Sequence, residues 1–200
     1  MPVPVKFSGV IQVWALVPQQ HSGNHAFRFR RTALRAEAEP APGITAAIMM
    51  DPAQVREDDR TPATGFLTDP GRKSPLQDAI IGFANPFGGC PGVKRIQAGQ
   101  FKTPFGMDGL RPETDVDTAE RALLSTKARW SDQRDIGVQA QAGWGPRDVW
   151  GGAFNGEGQN RAADANNHVT GMARVVWKAL GGCTVGASYE GGRKGAQSAL

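Results

Sequence analysis

Between residues 5 and 17 the chain alternates apolar and polar side chains, and few architectures accept that pattern. Val5, Phe7, Ile11, Val13, Ala15 and Val17 fall on one face, and Lys6, Ser8, Gln12 and Trp14 fall on the other. A period of two is that of a β-strand with one apolar face. The run is long for a strand of a soluble domain and matches one that crosses a bilayer. No run of about eighteen apolar residues occurs, so no transmembrane helix is encoded. A membrane strand needs only about ten residues with every second one apolar, and it leaves a weak hydropathy signal.

The rest of the chain repeats the theme. His21-Ser22-Gly23-Asn24 reads as a turn. A second strand over 26–39 changes phase: Phe27 and Phe29 share one parity, Leu34, Ala36 and Ala38 the other. A β-bulge near Arg30-Arg31 would reconcile them, because one extra residue flips the alternation. Pro40-Ala41-Pro42-Gly43 predicts a tight turn, and strands follow over 44–50, 76–84, 93–101, 134–144, 148–154, 168–179 and 183–190. The connections 51–75 and 102–133 are far longer than usual, and loops of that length tend to be functional. Asp117 and Glu120 have the spacing of a capping box and predict a helical turn or two over 118–126. The expectation is an all-β chain, a single domain over 1–200, of about eight or nine antiparallel strands in an up-and-down meander.

No constellation for catalysis or metal binding stands out. His21, His25 and His168 sit in turns or near strand ends without ligand spacing and read as solvated loop histidines. Glu113, Asp115, Asp117 and Glu120 could be taken for the paired carboxylates of a glycosidase, but their helix-start spacing makes them loop and cap residues. The paired glycines at 151–152, 181–182 and 191–192 precede no helix, so no phosphate-cradling loop is indicated. The reading is therefore of a non-enzyme with no cofactor and no metal. Cys90 and Cys183 form no CxxC, and whether they pair stays open.

The net charge is +4, and what matters is where the basic residues stand. Arg28, Arg30, Arg31 and Arg35 crowd the second strand. On a soluble protein they would be a solvated sheet face. Inside a barrel they would form a ladder of guanidinium forks suited to phosphate or carboxylate oxygens, a physical route to anion selectivity. The five tryptophans, Trp14, Trp130, Trp144, Trp150 and Trp177, fall near expected strand ends, where an interfacial girdle would place them.

Several segments, in order, resemble the phosphate-selective porin O and P family. Ile96-Gln97-Ala98-Gly99-Gln100-Phe101-Lys102-Thr103-Pro104-Phe105-Gly106 looks like its GQFK-PFG signature. Glu120-Arg121-Ala122-Leu123 is similar to its ERAL loop segment, Arg134-Asp135-Ile136-Gly137-Val138 to RDIGV, and Phe154 through Asn160 to FNGEGQN. Upstream, Arg30-Arg31 with Leu34, Met49-Met50-Asp51-Pro52-Ala53 and Leu76-Gln77-Asp78-Ala79 resemble earlier strand and turn motifs. The set covers most of residues 26–175.

The resemblance implies an antiparallel transmembrane β-barrel of about sixteen strands, trimeric, in the Gram-negative outer membrane. It implies a loop, 102–133, folded inward to narrow the pore. Arg30 and Arg31, with Arg28 and Arg35, would line the lumen, and Lys102, Lys127 and Arg129 would stand at the constriction. The implied partners are outer-membrane lipid and small anions such as phosphate, not nucleic acid. The chain departs from the pattern in supplying about half of the strands, in lacking a terminal aromatic and in carrying two cysteines. It shows no export signal, so the expectation is a piece of a longer barrel. The alternative from a different class is a soluble periplasmic or secreted β-domain that binds acidic ligands. That protein would bury its apolar face between two sheets.

Overall fold

The computed structural model describes residues 2–16, 26–54, 74–88, 92–112, 133–161, 168–179 and 182–192. The segment expected to be helical, 118–126, lies outside these residues, as do Cys90, Lys127, Arg129 and Trp130.

Nine strands form one sheet: β1 (Val5–Leu16), β2 (Ala26–Ala41), β3 (Ile44–Met50), β4 (Leu76–Ala84), β5 (Val93–Lys102), β6 (Arg134–Trp144), β7 (Arg147–Phe154), β8 (Thr170–Lys178) and β9 (Thr184–Gly191). Each pairs antiparallel with its sequence neighbours, in the order β1 through β9. The sheet is open, with β1 and β9 at its edges. The up-and-down meander is therefore the observed architecture, and no α-helix occurs among the described residues.

The connections sort by length. At one end of the sheet lie 42–43, 85–92, 145–146 and 179–183; at the other lie 17–25, 51–75, 103–133 and 155–169. Short turns at one rim and long loops at the other are the habit of outer-membrane barrels.

The phase change in β2 is a bulge. Gln12 opposes Arg31 and Val13 opposes Phe29, so Arg30 is the extra residue. It brings Phe27 and Phe29 onto the side of Leu34 and Ala36 despite their different parity. Strand β2 also runs further than expected, to Ala41, with the turn reduced to Pro42-Gly43. Pro40 sits where the ladder is irregular between Ala38 and Ala41, so the N–H that proline lacks is not missed there.

The two faces of the sheet differ in kind. One carries Val5, Phe7, Ile11, Phe29, Ile48, Ile81, Val138, Val175 and Val185, all exposed; Phe7 is 67% and Ile11 76% accessible. The other carries most of the charged and amide side chains. The small buried apolar cluster, Phe101, Phe154 and Met172 with Ile80 against it, lies on this second face. Phe101 and Phe154 meet edge to face, with ring centroids 5.6 Å apart. A soluble sheet protein would bury the first face and wet the second. Here the larger apolar surface is the exposed one.

The girdle expectation needs a correction. Trp144 and Trp177 are about half exposed on the apolar face beside short connections. Trp14 and Trp150 instead lie on the polar face under guanidinium groups: Arg30 sits 5.2 Å from the Trp14 ring centroid and Arg174 5.9 Å from that of Trp150. Residues directly opposed across antiparallel strands share a face, and these two oppose Arg28 and Arg174. Strand-end position alone does not fix the side.

Candidate functional site

The polar face is built by cross-strand pairs. Ser8 opposes Arg35, Gln12 opposes Arg31 and Lys6 opposes Glu37. Arg31 is buried and donates to Gln12 Oε1. Arg35 lies two positions further along that face for each of two steps, roughly 13 Å away along the strand. Its guanidinium is shared between acids, 2.9 Å from Glu37 Oε2 and 3.5 Å from Asp78 Oδ2. Arg30 occupies the bulge and stacks on Trp14. Arg28 opposes Trp14 in the register, and its side chain lies outside the described residues.

Residues 103–112 cross this face. Gly106 N donates to Ser188 Oγ at 3.1 Å, and Arg174 Nη1 donates to Gly106 O. Lys102 Nζ holds the same segment from its near end, donating to Gly109 O at 3.2 Å and Arg111 O at 3.3 Å. Between the segment and strands β1–β4 lies a cavity of 470 Å³, lined among others by Arg35, Asp51, Asp78, Lys102, Leu110, Pro112 and Arg134. Of the seven basic residues expected at the site, the described structure brings Arg35 and Lys102 to this cavity. Arg31 lies on the same face outside its lining, and Lys127 and Arg129 are beyond the described residues.

The sequence reading missed Arg134 and Asp78 as site residues. Arg134 Nε donates to Asp78 Oδ1 at 2.7 Å, with the Arg134 side chain 3% exposed. Strict alternation from Val138 and Ile136 would have turned Arg134 to the apolar side. Its counter-charge across the sheet decides otherwise, because a guanidinium at the end of a strand follows its carboxylate rather than the pleat. Asp51 is equally hidden from pattern reading. It is 1% exposed, and its Oδ1 accepts from Thr32 N at 2.9 Å and Ala53 N at 3.1 Å. This is the local turn chemistry of aspartate.

A second charged group stands nearer the short connections. Asp148 accepts from Lys94 at 2.7 Å and from Lys178 at 3.0 Å. The contact from Lys94 runs over Gly143, where a Cβ would collide with the ammonium. The absence of a side chain there lets a lysine on β5 reach a carboxylate on β7.

The motifs that carry the family resemblance hold one another. Gln100 Nε2 donates to Asn160 Oδ1 at 3.1 Å, and Asn160 N donates back to Gln100 Oε1 at 2.6 Å. Gln100 also donates to Gln77 O at 2.8 Å. Gly156 N donates to Asp135 Oδ2 at 2.7 Å. Arg134 reaches Asp78, and Asp51 reaches Thr32. Segments scattered from residue 32 to residue 160 are thus contact partners, which is a physical reason for them to occur together.

Comparison with characterised proteins and with solved structures gives no match. The profile of the family described as phosphate-selective porin O and P matches residues 13–182 of the 200. With that span matched, and with an all-antiparallel meander whose apolar face is exposed, the chain belongs to the phosphate-selective porin O and P family.

Proposed function

We propose that this chain forms part of the wall of an outer-membrane diffusion channel that prefers anions, phosphate or related oxyanions among them. The family is one of channels rather than enzymes and implies the Gram-negative outer membrane. The observation that carries the anion preference is the polar face itself. Arg35, Lys102 and Arg134 line one cavity there, Arg31 lies on the same face, and segment 103–112 narrows the space above the cavity. In this reading 102–133 is the constriction loop. Lys127 and Arg129 belong to it, and Arg28 and Arg30 extend the basic wall toward the long-loop rim. An entering anion exchanges part of its hydration for guanidinium and ammonium donors and leaves down its gradient. The completed barrel would have about sixteen strands and would assemble as a trimer.

The reading is tested by zero-current potentials across planar bilayers under a salt gradient. Joint replacement of Arg30 and Arg31 by glutamine, and separately Lys102→Gln, should move the potential toward that of a non-selective pore. Unchanged anion selectivity in both would sink the basic-wall account.

The orientation of the apolar face has its own test. Ile81 is 44% exposed in the middle of β4. Ile81→Arg should cost about 2–4 kcal/mol of stability in a bilayer, the penalty for a guanidinium near the midplane of a lipid-facing strand. Urea titration in lipid vesicles measures it. A soluble β-domain that left this face in water would lose almost nothing, and one that buried it between sheets would lose its fold in plain buffer.

A further inference from the structure

We propose that Arg147, between Trp144 and Trp177, binds the phosphate of an anionic phospholipid headgroup at the short-turn rim. The inference rests on the channel reading, because it needs the apolar face to meet lipid. Arg147 opposes Trp144 on one side and Trp177 on the other, and Trp177 opposes Val185. Opposed residues share a face, so the four form one row across β6 to β9. Trp144, Trp177 and Val185 are each about half exposed, and Arg147 is exposed. The row lies one residue from the tight turn Gly145-Pro146. Ala142, Val149 and Val175 continue the same face toward the middle of the sheet.

A guanidinium on an apolar face requires an explanation. Arg147 has no hydrogen-bond or ion-pair partner among the described residues. The neighbouring acid, Asp148, points to the opposite face and is held there by Lys94 and Lys178. Nothing described within the protein neutralises Arg147 on its own side. Indoles settle at the level of lipid headgroups, and at that level the natural counter-ion is a phosphodiester. The planar guanidinium fork meets its oxygens bidentately. Two flanking rings exclude water from the stem while the charge reaches the headgroup.

The test uses the protein folded in detergent micelles and titrated with phosphatidylglycerol or phosphatidylcholine, with bound lipid counted by native mass spectrometry. The protein should bind phosphatidylglycerol in preference. Arg147→Gln should weaken that binding about fivefold, the effect of one basic residue at an anionic lipid surface, and Arg147→Lys, which keeps the charge without the fork, should fall between the two. Inorganic phosphate in excess should not displace the lipid. Equal binding by Arg147→Gln, or displacement by free phosphate, would overturn the lipid site while leaving the channel reading intact. A chain that folds in plain buffer without detergent would overturn both.

Discussion

Replacing Asp78 by alanine is expected to cost about 3–5 kcal/mol of folding stability, the loss typical when one partner of a buried ion pair is removed. Asp78 is the hub of three strands. One carboxylate oxygen accepts from Arg134 on β6 at 2.7 Å and the other faces Arg35 on β2 at 3.5 Å. The Arg134 side chain is 3% exposed and that of Asp78 10%, so neither charge can be rehydrated cheaply when its partner goes. Urea titration in detergent micelles, followed by far-UV circular dichroism, gives the change. The double variant Asp78→Leu with Arg134→Met separates the value of the pair from the penalty of removing one of its charges alone. It should recover most of the loss, because apolar residues of similar volume often substitute for a buried pair at little cost. A single-variant loss below about 1 kcal/mol, the level of an exposed pair, would contradict the burial.

Gly99→Ala is expected to cost about 2–6 kcal/mol, combining a strained backbone with overpacking. Gly99 has φ +121, a region that side chains with a Cβ rarely enter. A Cβ there would overlap the Ala79 carbonyl oxygen, far inside van der Waals contact, and lie 3.3 Å from Ile80 Cα. The obstacle is the backbone of the paired strand, which cannot rotate away as a flexible side chain would. Relief requires β4 and β5 to part next to Gln100, whose bonds to Gln77 and Asn160 depend on that register. Gly151→Ala is the control. A Cβ at Gly151 meets nothing within 4 Å, and an open surface substitution should stay within about 0.5 kcal/mol. Equal denaturation midpoints for the two variants would show that β4 and β5 are not so close at Gly99.

Both predictions fall on residues inside motifs that were quotable from the sequence without a reason for their presence. Gly99 and Gln100 open the GQFK segment, and Asp78 lies in the LQDA segment. The contacts supply the reason: Gly99 admits a neighbouring backbone, Gln100 grips Asn160, and Asp78 seats two arginines.

What the sequence determined by itself is the meander and its two faces. Strict alternation over β1 fixed its apolar side, since the side-chain period of a strand is two whatever surrounds it. The conflict of parity between Phe29 and Leu34 placed a bulge near Arg30-Arg31, because an extra residue reconciles the two phases, and the register makes Arg30 the extra one. Turn residues then spaced the remaining strands to within a residue or two. What only the tertiary structure decided is where long polar side chains go. Arg134 leaves the pleat for Asp78, Lys102 turns to the carbonyls of Gly109 and Arg111, and Arg174 crosses to Gly106. Each partner is distant in sequence or lies in a loop. A flexible cation follows the nearest unsatisfied acceptor, and that acceptor exists only once the strands have paired. Alternation is a property of one strand, whereas a counter-ion is a property of the assembled sheet. For that reason the fold was legible before the site.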